Sequence, residues 1–97
     1  MDHQTKQISA YRVFLSGLVQ GVGFRSWTKR LAESYGLDGW VRNLPDGRVE
    51  LFAQGENDVL QDFIWKLWEG PKGARVDKME IIKEAVSHEE RGFYIKY

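Results

Sequence analysis

Gly17-Leu18-Val19-Gln20-Gly21-Val22-Gly23-Phe24-Arg25 joins two segments of different period, and its reading decides the fold. Before it, residues 8–16 alternate. Tyr11, Val13 and Leu15 fall on one side and Arg12, Phe14 and Ser16 on the other, the pattern of a half-covered strand. After it, Phe24, Trp27, Leu31 and Tyr35 recur at helical spacing as a core stripe, with Lys29, Arg30 and Glu33 on the solvated side. Gly36 is placed to end that helix. The three glycines of the loop open positive φ values to the backbone. A loop of this kind, feeding a helix N-terminus, leaves N–H groups without helical partners, and such a concavity suits an anion. Arg25 stands where loop becomes helix and can close on the same anion with paired hydrogen bonds. The spacing matches neither the dinucleotide G-x-G-x-x-G nor the Gly-Lys-Ser/Thr of a Walker loop. On this stretch alone, a turn that needs glycine explains the residues as well as an anion cradle does.

Outward from the loop, the chain reads as strand, helix, strand, strand, helix, strand and a short last strand. Residues 37–43 and 48–54 form a hairpin across Leu44-Pro45-Asp46-Gly47, where proline fixes φ and Asp-Gly reverses the chain. In the second of these strands Val49, Leu51 and Ala53 alternate with Glu50, Phe52 and Gln54, as a sheet covered on one face requires. A second helix starts within residues 55–58 with Asn57 as its N-cap. Its apolar stripe is Val59, Leu60, Phe63, Ile64, Leu67 and Trp68, and Gly70-Pro71-Lys72-Gly73 stops it. Residues 76–83 form a strand with Met79 and Ile81 on one face. Residues 84–92 form a charged surface connection that contains His88. Phe93, Ile95 and Tyr97 share one face of the last strand. This order predicts an α+β, ferredoxin-like β-α-β-β-α-β sandwich, with two helices on one face of a mixed, mostly antiparallel sheet and one extra strand. Residues 1–7, with His3, read as a loose tail, and 8–97 as one domain.

Composition narrows the chemistry. Fourteen basic residues balance fourteen acidic ones, so no overall field draws the chain to nucleic acid or an anionic membrane. The absence of cysteine excludes disulfides, thiolate metal sites and a cysteine nucleophile, and it fits a cytoplasmic protein. Two histidines, His3 and His88, do not make a multi-histidine metal site. No run is long enough to span a membrane, and no signal-peptide pattern occurs.

Asn43 is the second polar residue singled out. Period two places it on the face of Val41, toward the helices, and Arg25 begins a helix that covers that face. A carboxamide there can accept from a water and donate to an oxyanion together. The plainer reading is a cap for the hairpin turn.

The blocks Gly17 to Arg25 and Gly39-Trp40-Val41-Arg42-Asn43-Leu44-Pro45-Asp46-Gly47-Arg48-Val49-Glu50 together resemble the two signature blocks of the acylphosphatase family. The likeness extends through Gly70-Pro71, Ala74-Arg75-Val76 and Gly92 to Tyr97, essentially the whole chain after the tail. It implies a small hydrolase that splits the carboxyl–phosphate bond of acyl phosphates without metal or cofactor. It further implies that Arg25, with the backbone amides of Gln20, Gly21, Val22, Gly23 and Phe24, binds the phosphoryl group, and that Asn43 positions the attacking water. Ser26 departs from the family pattern, where a larger, often aromatic residue is expected behind the loop. A carboxylate is already a good leaving group, so charge stabilisation and positioning suffice for this reaction. The expected partner is a small acyl phosphate bound by a monomer, with nothing distinct to read the acyl side. Acylphosphatase-like domains also form the first module of larger carbamoyl-transferring proteins; a chain ending at Tyr97 favours a stand-alone enzyme. The competing reading is a non-catalytic binding module for RNA or a phosphorylated ligand. Phe14 and Phe52 alternate out of the core face, where RNA-binding domains of this fold display stacking aromatics, but the basic, glycine and aromatic pattern of such domains is missing.

Overall fold

The computed structural model describes residues 7–97, so His3 and most of the expected tail lie outside the described residues. The elements are β1 (Ile8–Leu18), α1 (Phe24–Ser34), β2 (Asp38–Asn43), β3 (Val49–Glu56), α2 (Asn57–Leu67), β4 (Arg75–Glu84) and β5 (Phe93–Ile95). They form a ferredoxin-like fold, with a five-stranded sheet in the order β4-β1-β3-β2-β5. β1 pairs antiparallel with β3 and β4, β2 antiparallel with β3, and β5 parallel with β2. Both helices pack on one face. Val13, Leu15, Val41, Val49, Leu51 and Ala53 meet Phe24, Leu60, Phe63 and Leu67 there, all buried.

Several sequence expectations shift in detail. β1 runs on through Gly17 and Leu18, so Gly17 belongs to the strand and not to the loop. It sits at a bulge against β4 with φ 130°, and an added Cβ would lie 2.2 Å from the Arg75 carbonyl oxygen. Close backbone approach makes glycine necessary there. The buried line of α1 is Phe24, Thr28 and Ala32, with Trp27, Leu31 and Tyr35 packed along its flanks. Three large side chains do not fit between helix and sheet where a hydroxyl and a methyl do. At the end of α1, Gly36 N–H donates to Glu33 and Leu37 N–H to Ala32, a Schellman closure with Gly36 at φ 69°. α2 starts one residue earlier than expected: Glu56 is its N-cap, and Asn57 is already helical. Its N–H donates to the Gln7 carbonyl at 2.9 Å, which satisfies one of the N–H groups that the first helical turn leaves without an internal partner. Trp68 lies outside the apolar stripe and is half exposed, because α2 ends at Leu67.

The largest departure concerns the second face of the sheet, expected to be open. Every residue from Val49 to Gln54 is buried. Trp40 and Phe52 stack with ring centroids 6.4 Å apart, joined by Ala10 and Val86 in a second small cluster. The connection after β4 folds over it: the Gln54 amide donates to Ser87 O at 2.7 Å and accepts from Ser87 N–H at 2.8 Å. His88 in that connection is exposed, as expected of a surface loop. Phe52 is therefore not displayed, and Phe14 lies under the Arg48 guanidinium at 4.9 Å. The aromatic platform that an RNA-binding reading needs is absent among the described residues.

Candidate active site

The glycine loop, the start of α1 and the ends of β2 and β5 surround a cleft of about 120 Å³. That is room for a phosphoryl group and a water. The loop contributes Val19, Gln20, Gly21 and Gly23, and α1 contributes Phe24, Arg25 and Ser26. Asn43 comes from the last position of β2, and Ile95 and Tyr97 from the end of the chain. Of the residues named from sequence, Gln20, Gly21, Gly23, Phe24, Arg25 and Asn43 therefore meet in one place. Val22 is not among the lining residues; its side chain packs against the core from beside the loop.

The loop takes this shape for a backbone reason. Gly21 and Gly23 have φ of 77° and 76°, and an added Cβ at either would meet nothing within 4 Å. Glycine is needed there for the left-handed backbone and not for space. Gly23 is the N-cap of α1, its carbonyl taking the Trp27 N–H at 3.1 Å. No side chain caps the helix, and its first turn holds no acidic residue. The early N–H groups and the positive end of the helix dipole thus face the cleft without an internal counter-charge.

Arg25 is half-buried and makes no ion pair among the described residues. Its guanidinium carbon lies 5.2 Å from the centroid of the Tyr97 ring, a surface that orients a cation without neutralising it. Asn43 supplies a different kind of unmatched group. Its Oδ1 is buried and accepts no hydrogen bond from the described protein atoms. Buried polar atoms are nearly always paired, so an acceptor left without a protein donor beside a cleft is available to a bound group or a water. A cation, a row of free N–H groups and one free carboxamide oxygen can together hold an oxyanion and orient a neutral donor beside it.

Three contributions escaped the sequence. Ile95 and the exposed Tyr97 ring line one side of the cleft because β5 runs parallel to β2, with Val41 opposite Ile95 and the Lys96 N–H on the Val41 carbonyl at 2.9 Å. That register carries Tyr97 to the level of Asn43, and only the alternation of Phe93, Ile95 and Tyr97 hinted at it. Ser26 is exposed at the cleft, not packed behind the loop, so its small size widens the mouth. The Gln20 side chain reaches across to the β2–β3 turn, a contact without a local signal.

The family model described as Acylphosphatase matches residues 11–95. A protein named acylphosphatase from Rubrobacter xylanophilus is 46% identical over 93 residues, which cover 96% of this chain and 82% of that relative. The crystal structure of acylphosphatase from Bacillus subtilis superposes with a TM-score of 0.88 at 34% identity, covering 94% of this chain and 100% of that one. Full-length HypF, in its phosphate- and nucleotide-bound form, matches with a TM-score of 0.84 at 27% identity; 99% of this chain corresponds to 13% of HypF.

Proposed function

The chain belongs to the acylphosphatase family, and on that premise we propose that it hydrolyses small acyl phosphates, with Arg25 and Asn43 as its catalytic residues. The observation that carries this reading is the pairing, in one cleft, of an arginine without a counter-ion and a buried Asn43 Oδ1 without a protein partner. The phosphoryl oxygens sit against the amides of Gln20, Gly21, Val22, Gly23 and Phe24, and Arg25 completes the ring. Asn43 accepts a hydrogen bond from the attacking water and orients its oxygen toward phosphorus. The new P–O bond forms as the bond to the carboxylate oxygen breaks; a dianionic acyl phosphate and water give a carboxylate and dihydrogen phosphate. The carboxylate leaves without needing a proton at neutral pH, so the site needs no strong general acid. Its contribution is electrostatic and positional.

The Ile95 and Tyr97 side of the cleft suits an apolar acyl group without selecting one, in keeping with broad specificity. Equal numbers of acidic and basic residues give no overall field toward nucleic acid or an anionic membrane, and we take the enzyme to be a cytoplasmic monomer. The test is hydrolysis of benzoyl phosphate by chelator-treated protein with inorganic phosphate as competitor. Metal-independent turnover inhibited by phosphate is expected. Well-folded protein that binds phosphate but releases no benzoate would make the cleft a binding site only.

A further inference from the structure

We propose that the side chain of Gln20 is a positioning residue, a clamp that fixes the distance between the phosphate loop and Asn43; this rests on the hydrolase reading above. Gln20 Nε2 donates to two backbone oxygens of the β2–β3 turn, Leu44 O and Arg48 O, both at 2.9 Å. Two carbonyl partners can be satisfied only by the amide nitrogen, so the orientation of this carboxamide is set by chemistry. Leu44 and Arg48 are the pair that closes the turn: Leu44 N–H donates to Arg48 O at 2.9 Å, and Gly47 N–H to Leu44 O at 3.1 Å. Asn43 is the residue immediately before that pair and lies opposite Val49 in the ladder.

One residue therefore touches both halves of the site. Its main chain belongs to the loop that faces the phosphate, and its side chain holds the strand end that carries the carboxamide for the water. β2 and β1 are not neighbours in the sheet, since β3 lies between them. Among the described residues, the hydrogen bonds of the Gln20 side chain join the loop after β1 directly to the turn after β2. Arg25 and the Phe24 amide belong to α1, and no hydrogen bond among the described residues joins them to the turn. Loosening the clamp thus moves Asn43 relative to the bound phosphate while leaving the phosphate in place. A displacement of about 1 Å between reacting groups can lower a rate by about a hundredfold.

The experiment compares the wild-type protein with Gln20→Met, Gln20→Glu, Asn43→Ala and the double variant Gln20→Met/Asn43→Ala. Methionine keeps the length and loses both donors; glutamate sets a carboxylate against two carbonyls. For benzoyl phosphate, kcat of Gln20→Met falls about ten- to a hundredfold, Gln20→Glu falls further, and the phosphate inhibition constant stays within about threefold of the wild type. In the double variant kcat is no lower than in Asn43→Ala, because the clamp acts through a carboxamide no longer there. Multiplying effects, a kcat within twofold of wild type, or parallel loss of phosphate binding would each overturn the proposal. Amide hydrogen exchange supplies a second readout that needs no turnover: the Leu44 and Gly47 amides lose protection in Gln20→Met while core amides keep theirs. Unchanged protection at those amides sinks the clamp even if activity falls. A wild-type protein without turnover, whose Gln20→Met variant nevertheless exposes these amides, would remove the hydrolase reading and leave the clamp standing.

Discussion

Two hollows among the described residues differ in whether the protein has matched their charges. On the sheet face away from the helices lies a hollow of about 180 Å³ lined by Arg12, Trp40, Phe52, Glu84 and their neighbours. Arg12 donates there to Glu50 and to Glu84, each at 2.7 Å, and Arg42 donates to Glu50 at 2.6 Å. Arg12, Arg42 and Lys96 also pack on the Trp40 ring. Every arginine of that lattice has its carboxylate. The cleft at the other side has an arginine with none and a buried carboxamide oxygen with no protein donor. Both regions hold guanidinium groups and aromatic rings, so residue type does not separate them. What separates them is whether the protein has already answered its own charges. A matched charge stabilises a fold; an unmatched, preorganised one is available to a ligand.

The comparison breaks most directly at its two arginines. Arg25→Ala is expected to lower kcat/KM for benzoyl phosphate by at least about a hundred- to a thousandfold, with little change in Tm, because no protein carboxylate is left unpaired. Arg12→Ala is expected to do the reverse, keeping kcat/KM within about threefold while lowering Tm, because it strands Glu84 and leaves Glu50 with Arg42 alone. Paired kinetics and thermal melts decide it. An active, folded Arg25→Ala protein, or an inactive Arg12→Ala protein of normal stability, would exchange the roles of the two regions. Next in size, Asn43→Ala should lower kcat by about a hundredfold with the phosphate inhibition constant unchanged. Equal loss of both would make Asn43 an anion ligand instead of a water ligand.

The cleft was legible in the sequence to the extent that it is local. Gly21, Gly23 and Arg25 are adjacent, and their backbone demands are written in residue types; Asn43 follows from strand period and the Pro-Asp-Gly turn beside it. Gly17 was misread because a glycine needed for a strand bulge looks, in sequence, like one needed for a loop. Tyr97 and the Gln20 clamp depend on which strands become neighbours, and a parallel β2–β5 pair leaves no mark between Asn43 and Phe93. The second sheet face was misjudged for a related reason. Alternation of Glu50, Phe52 and Gln54 with apolar residues reads as one wet face, whereas Arg12 and Arg42 cover Glu50, Trp40 stacks on Phe52, and Ser87 seals Gln54. Buried polar residues that are fully paired look, in one dimension, like exposed ones.

That paired lattice makes the third prediction. Burial pushes the Glu50 carboxyl up, but hydrogen bonds from Arg12 and Arg42 and their charges outweigh it and hold it below its usual range. The Arg12 hydrogen bond likewise holds Glu84 down, against a smaller effect of burial. A carboxylate depressed in the folded state stabilises above its unfolded value and loses that contribution as pH falls through the folded one. Glu50→Gln should therefore destabilise the fold at pH 7 by about 2 to 3 kcal/mol, less than a fully enclosed pair because both guanidinium groups reach solvent. The gap should narrow as the pH drops below about 4.3, the ordinary glutamate value. Urea unfolding at pH 7 and pH 3 measures this, and a gap that stays constant or widens in acid would mean the lattice is not what holds this face.

The smallest effect concerns Lys29, one helical turn beyond Arg25 in α1. Its Nζ lies 2.8 Å from Glu33 Oε2, an exposed pair of a kind worth a few tenths of a kcal/mol. Its charge is already answered, as in the lattice across the sheet, and its remaining field is screened within about 8 Å at physiological ionic strength. Lys29→Ala should change kcat/KM by less than about twofold at such ionic strength, with a somewhat larger loss in dilute buffer. Glu33→Ala, which frees Lys29, should then raise the affinity for inorganic phosphate slightly, and that gain should vanish with added salt. A tenfold loss in Lys29→Ala at physiological salt would place a second cation in the site. The contrast between matched and unmatched charge would then fail at the residue where it is most finely drawn.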